Sequence, residues 1–319
     1  DYGEFNVANY LTNSNGLGVQ FGYPISDITR LNFNLTYDKT DIDIGTLPAR
    51  EIYDFVAAEG NVFETLSLGF TWQRVTLNRG LFPTDGSSTS FTLTSTIPGS
   101  DINYYRANIR QRFYQPLSSQ LVFGFQGELG YLDAYGETDE TPFFQNFYAG
   151  GPRSLRGFES NTLGPRSTDA PCYEFNYDDG TCPNLIDTDG DGELDSPYYN
   201  PYATTNEYSS RSRYRDPPIG GNIKIEGSLQ LIFRLPFIED QRSLRSAFFF
   251  DFGNVFSDNC KEYQFNCYKP SIDDLRYSYG VGVTWITGFG PMSLAIAKPT
   301  NAGPQERTEE FQFTVGNVF

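Results

Sequence analysis

Carboxylates at alternating positions make residues 187–195, DTDGDGELD, a candidate calcium-binding loop. Alternate side chains before a glycine turn can converge on one hard cation, as in the first half of an EF-hand loop. The candidate ligands are Asp187, Asp189, Asp191 and Asp195. The position where such loops supply a bidentate glutamate is Tyr198 here, so we expect weak affinity. The surrounding run, 169–195, has nine acidic and no basic residues, and the alternative is a solvated acidic loop without a metal.

The four cysteines of the chain form two close pairs, Cys172 with Cys182 and Cys260 with Cys267. Neither pair has the CxxC spacing of a zinc ribbon or a redox site. We therefore predict two disulfides within loops, formed in an oxidising compartment.

The chain has no histidine at all. Histidine is the usual general base, the commonest zinc ligand and a member of Ser–His and Cys–His catalytic pairs. Its absence argues against most hydrolases. We predict that the protein is not an enzyme and that it requires no cofactor.

The charge balance bears on the partners of the protein. Forty acidic against 23 basic residues give a net charge of -17, and no large basic patch is evident in the sequence. Such a charge repels phosphates, so we predict no binding to nucleic acid. The sequence also lacks any run of about 18 apolar residues, which excludes a transmembrane helix.

Alternation of apolar and polar residues is the strongest structural signal. In residues 120–131, one strand face is mainly apolar, and the other carries Gln120, Gly124, Gln126, Glu128 and Gly130. The apolar side chains there are Leu121, Phe123, Phe125, Leu129 and Tyr131. The recurrence of this pattern predicts an all-β protein with about twelve antiparallel strands. We expect them near 16–24, 29–39, 61–74, 88–97, 102–115, 119–132, 143–150, 222–235, 245–256, 276–287, 291–298 and 310–319.

The length and the polar face of these strands favour a membrane barrel over a soluble sandwich. Several segments reach the roughly 9–11 residues with which a tilted strand crosses a bilayer. Arg106, Arg110 and Arg112 share one face of a strand, which a dry core would not accept. Short turns alternate with long connections at 40–60, 151–221 and 257–275, as in outer-membrane barrels. The sequence therefore predicts a transmembrane β-barrel with a polar lumen.

One motif in the longest connection points to a known family. Residues 147–166 read FYAGGPRSLRGFESNTLGPR, and the tetrad within them is Leu155, Arg156, Gly157 and Phe158. It resembles the (V/L)RG(F/Y) tetrad in loop six of the BamA family of outer-membrane assembly factors, in the POTRA-transporter superfamily. Other segments agree in order: FPTDG at 82–86, TIPGSD at 96–101, FFFDFGNVF at 248–256, GVGVTWITGFGPMSLAIAKP at 280–299 and FQFTVGNVF at 311–319.

The resemblance implies a domain organisation. The family has a 16-stranded barrel preceded by periplasmic POTRA domains. We expect residues 1–319 to form the portion that matches the last twelve strands, with the long extracellular loop 151–221 inserted. The POTRA domains and the first four strands are then absent from this chain, which is either a fragment or a smaller barrel.

The resemblance also implies roles for individual residues. The loop tip is expected to fold back into the barrel, where Arg156 pairs with Asp251. A second partner is expected on the preceding strand, where Gln230 aligns best and Glu226 lies nearby. The final segment either forms only the lipid-facing side of the last strand or also resembles the β-signal and gate strand of the family. Its residues are Phe311, Phe313, Val315, Gly316 and Phe319.

The function implied by the resemblance is insertion of β-barrel proteins into the bacterial outer membrane. The implied partners are unfolded outer-membrane proteins, accessory lipoproteins of the assembly machinery, and outer-membrane lipid and lipopolysaccharide. Two alternatives remain open at this point: a related polypeptide-secretion transporter of the two-partner or TamA type, and a passive porin.

Overall fold

The fold is an antiparallel sheet of eleven strands in a computed structural model of the chain. The structure describes residues 10–44, 49–168, 217–235, 243–264, 267–288, 290–303 and 306–316. The sheet strands are β1 (Tyr10–Ser26), β2 (Thr29–Ile44), β3 (Val62–Val75), β4 (Gly86–Thr96), β5 (Tyr104–Pro116), β6 (Leu121–Ala134), β8 (Ile223–Phe233), β9 (Leu244–Phe256), β10 (Arg276–Thr287), β11 (Gly290–Thr300) and β13 (Phe311–Val315). Two short strands, β7 (Gly157–Phe158) and β12 (Thr308–Glu309), pair with each other. The predicted all-β antiparallel class is confirmed.

Each sheet strand pairs with its neighbour in chain order, so β1 and β13 lie at the two ends of the sheet. The outer face is apolar and exposed, as the alternation predicts for a surface that contacts lipid. Examples from separate strands are Val19, Leu68, Leu129, Phe248 and Ile296. The opposite face carries polar and charged side chains, including Asp251 and Gln230, which are buried.

The polarity of the two faces inverts near the long-loop end of β2 and β3. Lys39 and Glu64 point outwards there and form an exposed salt bridge of 2.9 Å. Ile42 and Phe63, on the inner face of the same strands, are fully buried. Because charged side chains are costly in hydrocarbon, this inversion indicates where the strands leave the lipid region.

A hydrophobic cluster fills the interior at this end of the sheet. It contains side chains from β2, β3, β5, β6 and β9, together with those of the long connections. A helix, α1 (Arg50–Glu59), contributes Ile52 and Phe55 from a connection in which the sequence predicts only a long loop. None of the helices in the described part of the chain combines the length and the apolar character that a membrane span requires.

The predicted strand at 143–150 is wrong. Residues Phe143–Gln145 form a 3-10 helix, and Phe147 and Ala149 make only isolated bridges, with Gly221 and Leu163. The cause is that β6 pairs directly with β8 and leaves no edge for another strand. The aromatic side chains of this segment pack in the interior cluster instead.

Candidate functional site

The guanidinium of Arg156 is held against a carboxylate inside the sheet. Its Nε and Nη2 atoms donate to Asp251 Oδ2 and Oδ1, each at 2.7 Å, and its backbone N–H donates to Oδ2 at 3.2 Å. Arg156 is 4% exposed and Asp251 is fully buried. The structure thus contains the ion pair that the resemblance implied, in the bidentate geometry that is strongest for arginine.

Two inner-face neighbours complete the environment of Arg156. The ring of Phe249, two residues before Asp251 on β9, lies 3.5 Å from the guanidinium carbon, measured to its centroid. Ser228 Oγ, opposite Asp251 in the β8–β9 ladder, accepts from Nη2 at 2.9 Å. The alternation of β9 places both Phe249 and Asp251 inwards, so the strand supplies a charge partner and an aromatic face together.

The rest of the tetrad explains why the loop tip fits. Gly157 has a φ of +89°, and a Cβ there would lie 3.1 Å from the Cβ of Ala297. Only glycine adopts that conformation at so close an approach to β11 without strain. Leu155 and Phe158 are fully buried in the interior cluster, which fixes the tip on both sides of Gly157.

The two candidates for the second partner on β8 lie in different places. Glu226 accepts a hydrogen bond from Ser154, beside the tetrad, and pairs with Lys224 at 3.0 Å. Gln230 donates to Ser228 at 3.3 Å and accepts from Arg245 at 3.3 Å. Glu226 therefore binds the loop next to the tetrad through the Ser154 hydroxyl, whereas Gln230 lies at the next inner-face position of β8 after Ser228.

The terminal segment has the expected two faces. Phe311, Phe313 and Val315 point outwards and are 58%, 48% and 53% exposed. Gly316 follows with a φ of +84°, and Phe319 lies outside the described residues. On the inner face, Gln312 contacts the loop tetrad, which the sequence did not suggest.

The family model that matches this chain is the Omp85 superfamily domain, and the match covers residues 1–319, which is the whole chain. The chain belongs to the Omp85 superfamily. It is an integral outer-membrane protein, which agrees with the exposed apolar outer face of its sheet.

Individual relatives of this Omp85 protein agree over nearly all of its length. It is 29% identical over 337 residues to the outer membrane protein assembly factor BamA of Neisseria meningitidis serogroup B. That match covers 98% of the chain but 37% of the relative, so the chain spans little more than a third of it. The BamA crystal structure from Haemophilus ducreyi lacking POTRA domains 1–3 matches with a TM-score of 0.74 and 28% identity, over 97% of this chain and 55% of that one.

A second solved structure shares the fold alone. CdiB from Escherichia coli matches with a TM-score of 0.52 and 10% identity. The match covers 95% of this Omp85 chain and 44% of CdiB.

The disulfide and metal predictions for this Omp85 protein have different outcomes. Cys260 and Cys267 are joined by a disulfide, as predicted. The second predicted bridge, Cys172–Cys182, lies outside the described residues, as does the candidate calcium loop with Asp187, Asp189, Asp191 and Asp195. Within the residues that the structure does describe, no group of three or more acidic or cysteine side chains is arranged to hold a metal.

The disulfide-closed loop is docked on helix α1. Gln264, between the two cysteines, donates to Glu51 Oε1 at 3.0 Å, and the backbone N–H of Thr168 donates to both oxygens of the same carboxylate at 3.1 Å. Tyr263 donates to Asp54 at 2.7 Å. Burial is the main cause that raises the pKa of the Glu51 carboxyl, although these hydrogen bonds lower it. Burial and the bond to Asp54 raise the pKa of the Tyr263 phenol.

Proposed function

We propose that this Omp85 protein contains the membrane core of an outer-membrane protein insertase. The observation that supports this most directly is the docked tetrad, with Arg156 bound to Asp251, in a chain similar to BamA over 98% of its length. The similarity to BamA relatives supplies the function class.

The mechanism that we propose uses backbone pairing at the end of the sheet. Among the described residues, β13 pairs with β11 through five residues, from Met292–Val315 to Ile296–Phe311, which is the shortest ladder of the main sheet there. An unpaired backbone group in hydrocarbon costs several kcal/mol, so an incoming strand that satisfies these groups is strongly favoured. Strand addition at a sheet edge is a general mode of polypeptide recognition.

This mechanism needs no covalent chemistry. Strand exchange makes and breaks hydrogen bonds only, so we propose that the protein acts without a nucleophile, a nucleotide or a required cofactor. Its substrates are unfolded outer-membrane proteins, and its partners are the assembly lipoproteins. The exposed apolar outer face contacts outer-membrane lipid and lipopolysaccharide.

Reconstitution tests this proposal. The full-length protein in phospholipid vesicles is expected to accelerate folding of a urea-unfolded outer-membrane barrel, measured by its resistance to heat on gels and its protection from protease. Vesicles of the same composition without the protein are the control. Equal folding rates in both preparations would contradict the insertase function.

The interior cluster makes a passive porin a poor alternative. Buried side chains of α1, the 3-10 helix and the tetrad loop occupy the lumen at the long-loop end. We expect small, irregular currents in planar bilayers, whereas large steady single-channel steps would favour a porin. A secretion transporter would instead release the added polypeptide across the bilayer in a soluble form.

A further inference from the structure

We propose that the loop tetrad restrains the terminal strand β13, and that Gln312 is the positioning residue of this contact. We call the contact of Gly157 and Phe158 with Thr308, Glu309 and Gln312 the clasp. The inference rests on the proposed function, in which β13 is the site of strand exchange. It assigns the tetrad a second task beyond binding Asp251: it controls whether the end of β13 nearest the long loops is free to move.

Gln312 joins the strand to the tetrad with both ends of its amide. Its Nε2 donates to Phe158 O at 2.8 Å, and its Oε1 accepts from Gly157 N at 3.3 Å. Gln312 is 1% exposed. The side chain therefore adds two hydrogen bonds to buried backbone groups of the loop, and buried polar groups that lose a partner are costly.

Backbone pairing continues the clasp ahead of Gln312. Thr308 and Glu309 of β12 pair with Phe158 and Gly157 of β7. One residue further, Glu159 N–H donates to Arg307 O at 3.0 Å, and their side chains form a salt bridge of 3.1 Å. The loop thus provides a second ladder for the chain that leads into β13.

The segment before Arg307 is anchored as well. Arg276, at the start of β10, pairs with Glu306 at 2.6 Å, and both side chains are almost fully buried. This ion pair attaches the segment that leads into the clasp to the start of β10. Among the described residues, the β10–β11 ladder has eleven residue pairs, whereas the β11–β13 ladder has five.

Consecutive residues of the tetrad therefore bind two different parts of the sheet. Arg156 binds Asp251 on β9, whereas Gly157 and Phe158 bind Gln312 on β13. Because the tetrad is a short, buried segment, displacement of the loop must weaken both contacts. The geometry links docking of the loop to the restraint of the terminal strand.

Hydrogen exchange tests the clasp independently of function. In the full-length protein, Gln312→Met keeps the side-chain size but removes both hydrogen bonds to the tetrad, together with the one to Glu309 Oε2, and we expect about tenfold faster amide exchange in 306–316. Thr314→Val is the matched control, because Thr314 shares the inner face and its buried hydroxyl has no hydrogen-bond partner among the described residues. Faster exchange in the first variant only supports the clasp. Unchanged exchange, or equal increases in both variants, would overturn it.

A disulfide that holds the clasp closed tests whether the clasp must open during insertion. Glu159→Cys with Arg307→Cys places two cysteines at partly exposed, opposed positions. We expect the oxidised variant in vesicles to insert substrate at least tenfold more slowly than wild type and to regain the wild-type rate on reduction. Wild-type protein with the same reductant controls for effects on the native cysteines. An oxidised variant as active as wild type would overturn the link, and an inactive wild type would count against the proposed function instead.

Discussion

Arg156 illustrates how one residue can depend on an environment built by several strands. Its carboxylate partner, its aromatic neighbour and its hydroxyl acceptor come from Asp251, Phe249 and Ser228. A fully exposed pair of this kind contributes about 0–1 kcal/mol. A buried guanidinium that loses its carboxylate costs about 3–5 kcal/mol, so substitutions here report burial directly.

Charge exchange is the corresponding prediction. We expect Asp251→Arg to lower the temperature at which the folded barrel unfolds on gels and to slow insertion, because two cations then face each other in a buried site. Adding Arg156→Asp should restore part of both properties by re-forming the pair with reversed polarity. A double variant whose losses equal the sum of the two single losses would show that the residues do not interact.

A pH effect is expected at Glu51. Burial raises the pKa of its carboxyl above the usual 4.5, so the folded state favours the protonated form. Below pH 4.5 the carboxyl is protonated in both the folded and the unfolded state, so the cost of burying its charge is absent. Stability is lost as the pH rises through the raised pKa, because the buried carboxyl must then ionise. We expect the contact of α1 with the disulfide loop to loosen over that range, measured by amide exchange of 50–59.

Glu51→Gln is the matched variant for this pH effect. The amide keeps an oxygen that can accept from Thr168 N–H but cannot ionise. The variant is expected to show a smaller change in exchange across the same pH range. An identical pH profile in the two proteins would refute the assignment to Glu51.

At the scale of elements, helix α1 stabilises the long-loop end through one apolar side. Phe55 is 1% exposed and contacts Phe63 and Phe143, with ring centroids 5.9 Å and 5.3 Å apart. Removing a buried phenylalanine side chain typically costs about 3–5 kcal/mol. The helix therefore depends on the cluster more than on its own length of ten residues.

Phe55→Ala is expected to make α1 and the adjacent connections sensitive to protease while the strands stay intact. Tyr53→Ala is the control, because Tyr53 lies on the same helix but is 44% exposed. Limited proteolysis of both variants, followed by mass spectrometry, measures the difference. Equal cleavage of the two would mean that packing of Phe55 does not hold the helix.

The predictable parts of the fold are those in which side-chain burial follows the backbone period. Alternation was enough to place Asp251 on the inner face and Phe248 on the outer face of one strand. It misassigned 143–150, because aromatic side chains that fill an interior cluster have the same composition as those of a strand. Whether such a segment joins a sheet depends on a free edge, which is a property of the tertiary structure.

The contacts of the site were less predictable for a related reason. Gln312 lies 155 residues from Gly157 in sequence, and only the docked loop brings the two together. Its inward position follows from the alternation of the last strand, but nothing local indicates its partner. The ion pair of Arg156 and Asp251 was expected only because the tetrad resembles a known family motif.

At the scale of the molecule, the sheet combines a continuous apolar outer face with a terminal strand that pairs over five residues. Within the part of the chain that the structure describes, the other strands of this sheet have longer ladders, and the interior is filled at the long-loop end. This arrangement concentrates exchangeable backbone pairing at β13. A substrate strand is therefore expected to meet the protein at β13 and not along the inner strands, which are paired on both sides.

Site-specific photocrosslinking during substrate insertion tests this expectation most directly. A photoreactive residue replaces either Phe313 on β13 or Leu129 on β6, which point outwards with similar exposures of 48% and 53%. A strand paired with β13 brings its side chains within about 5 Å of the first position. We predict crosslinks to the unfolded substrate at position 313 and none above background at position 129. Equal crosslinking at both positions, or none at 313 while the substrate still folds, would contradict insertion at the terminal strand.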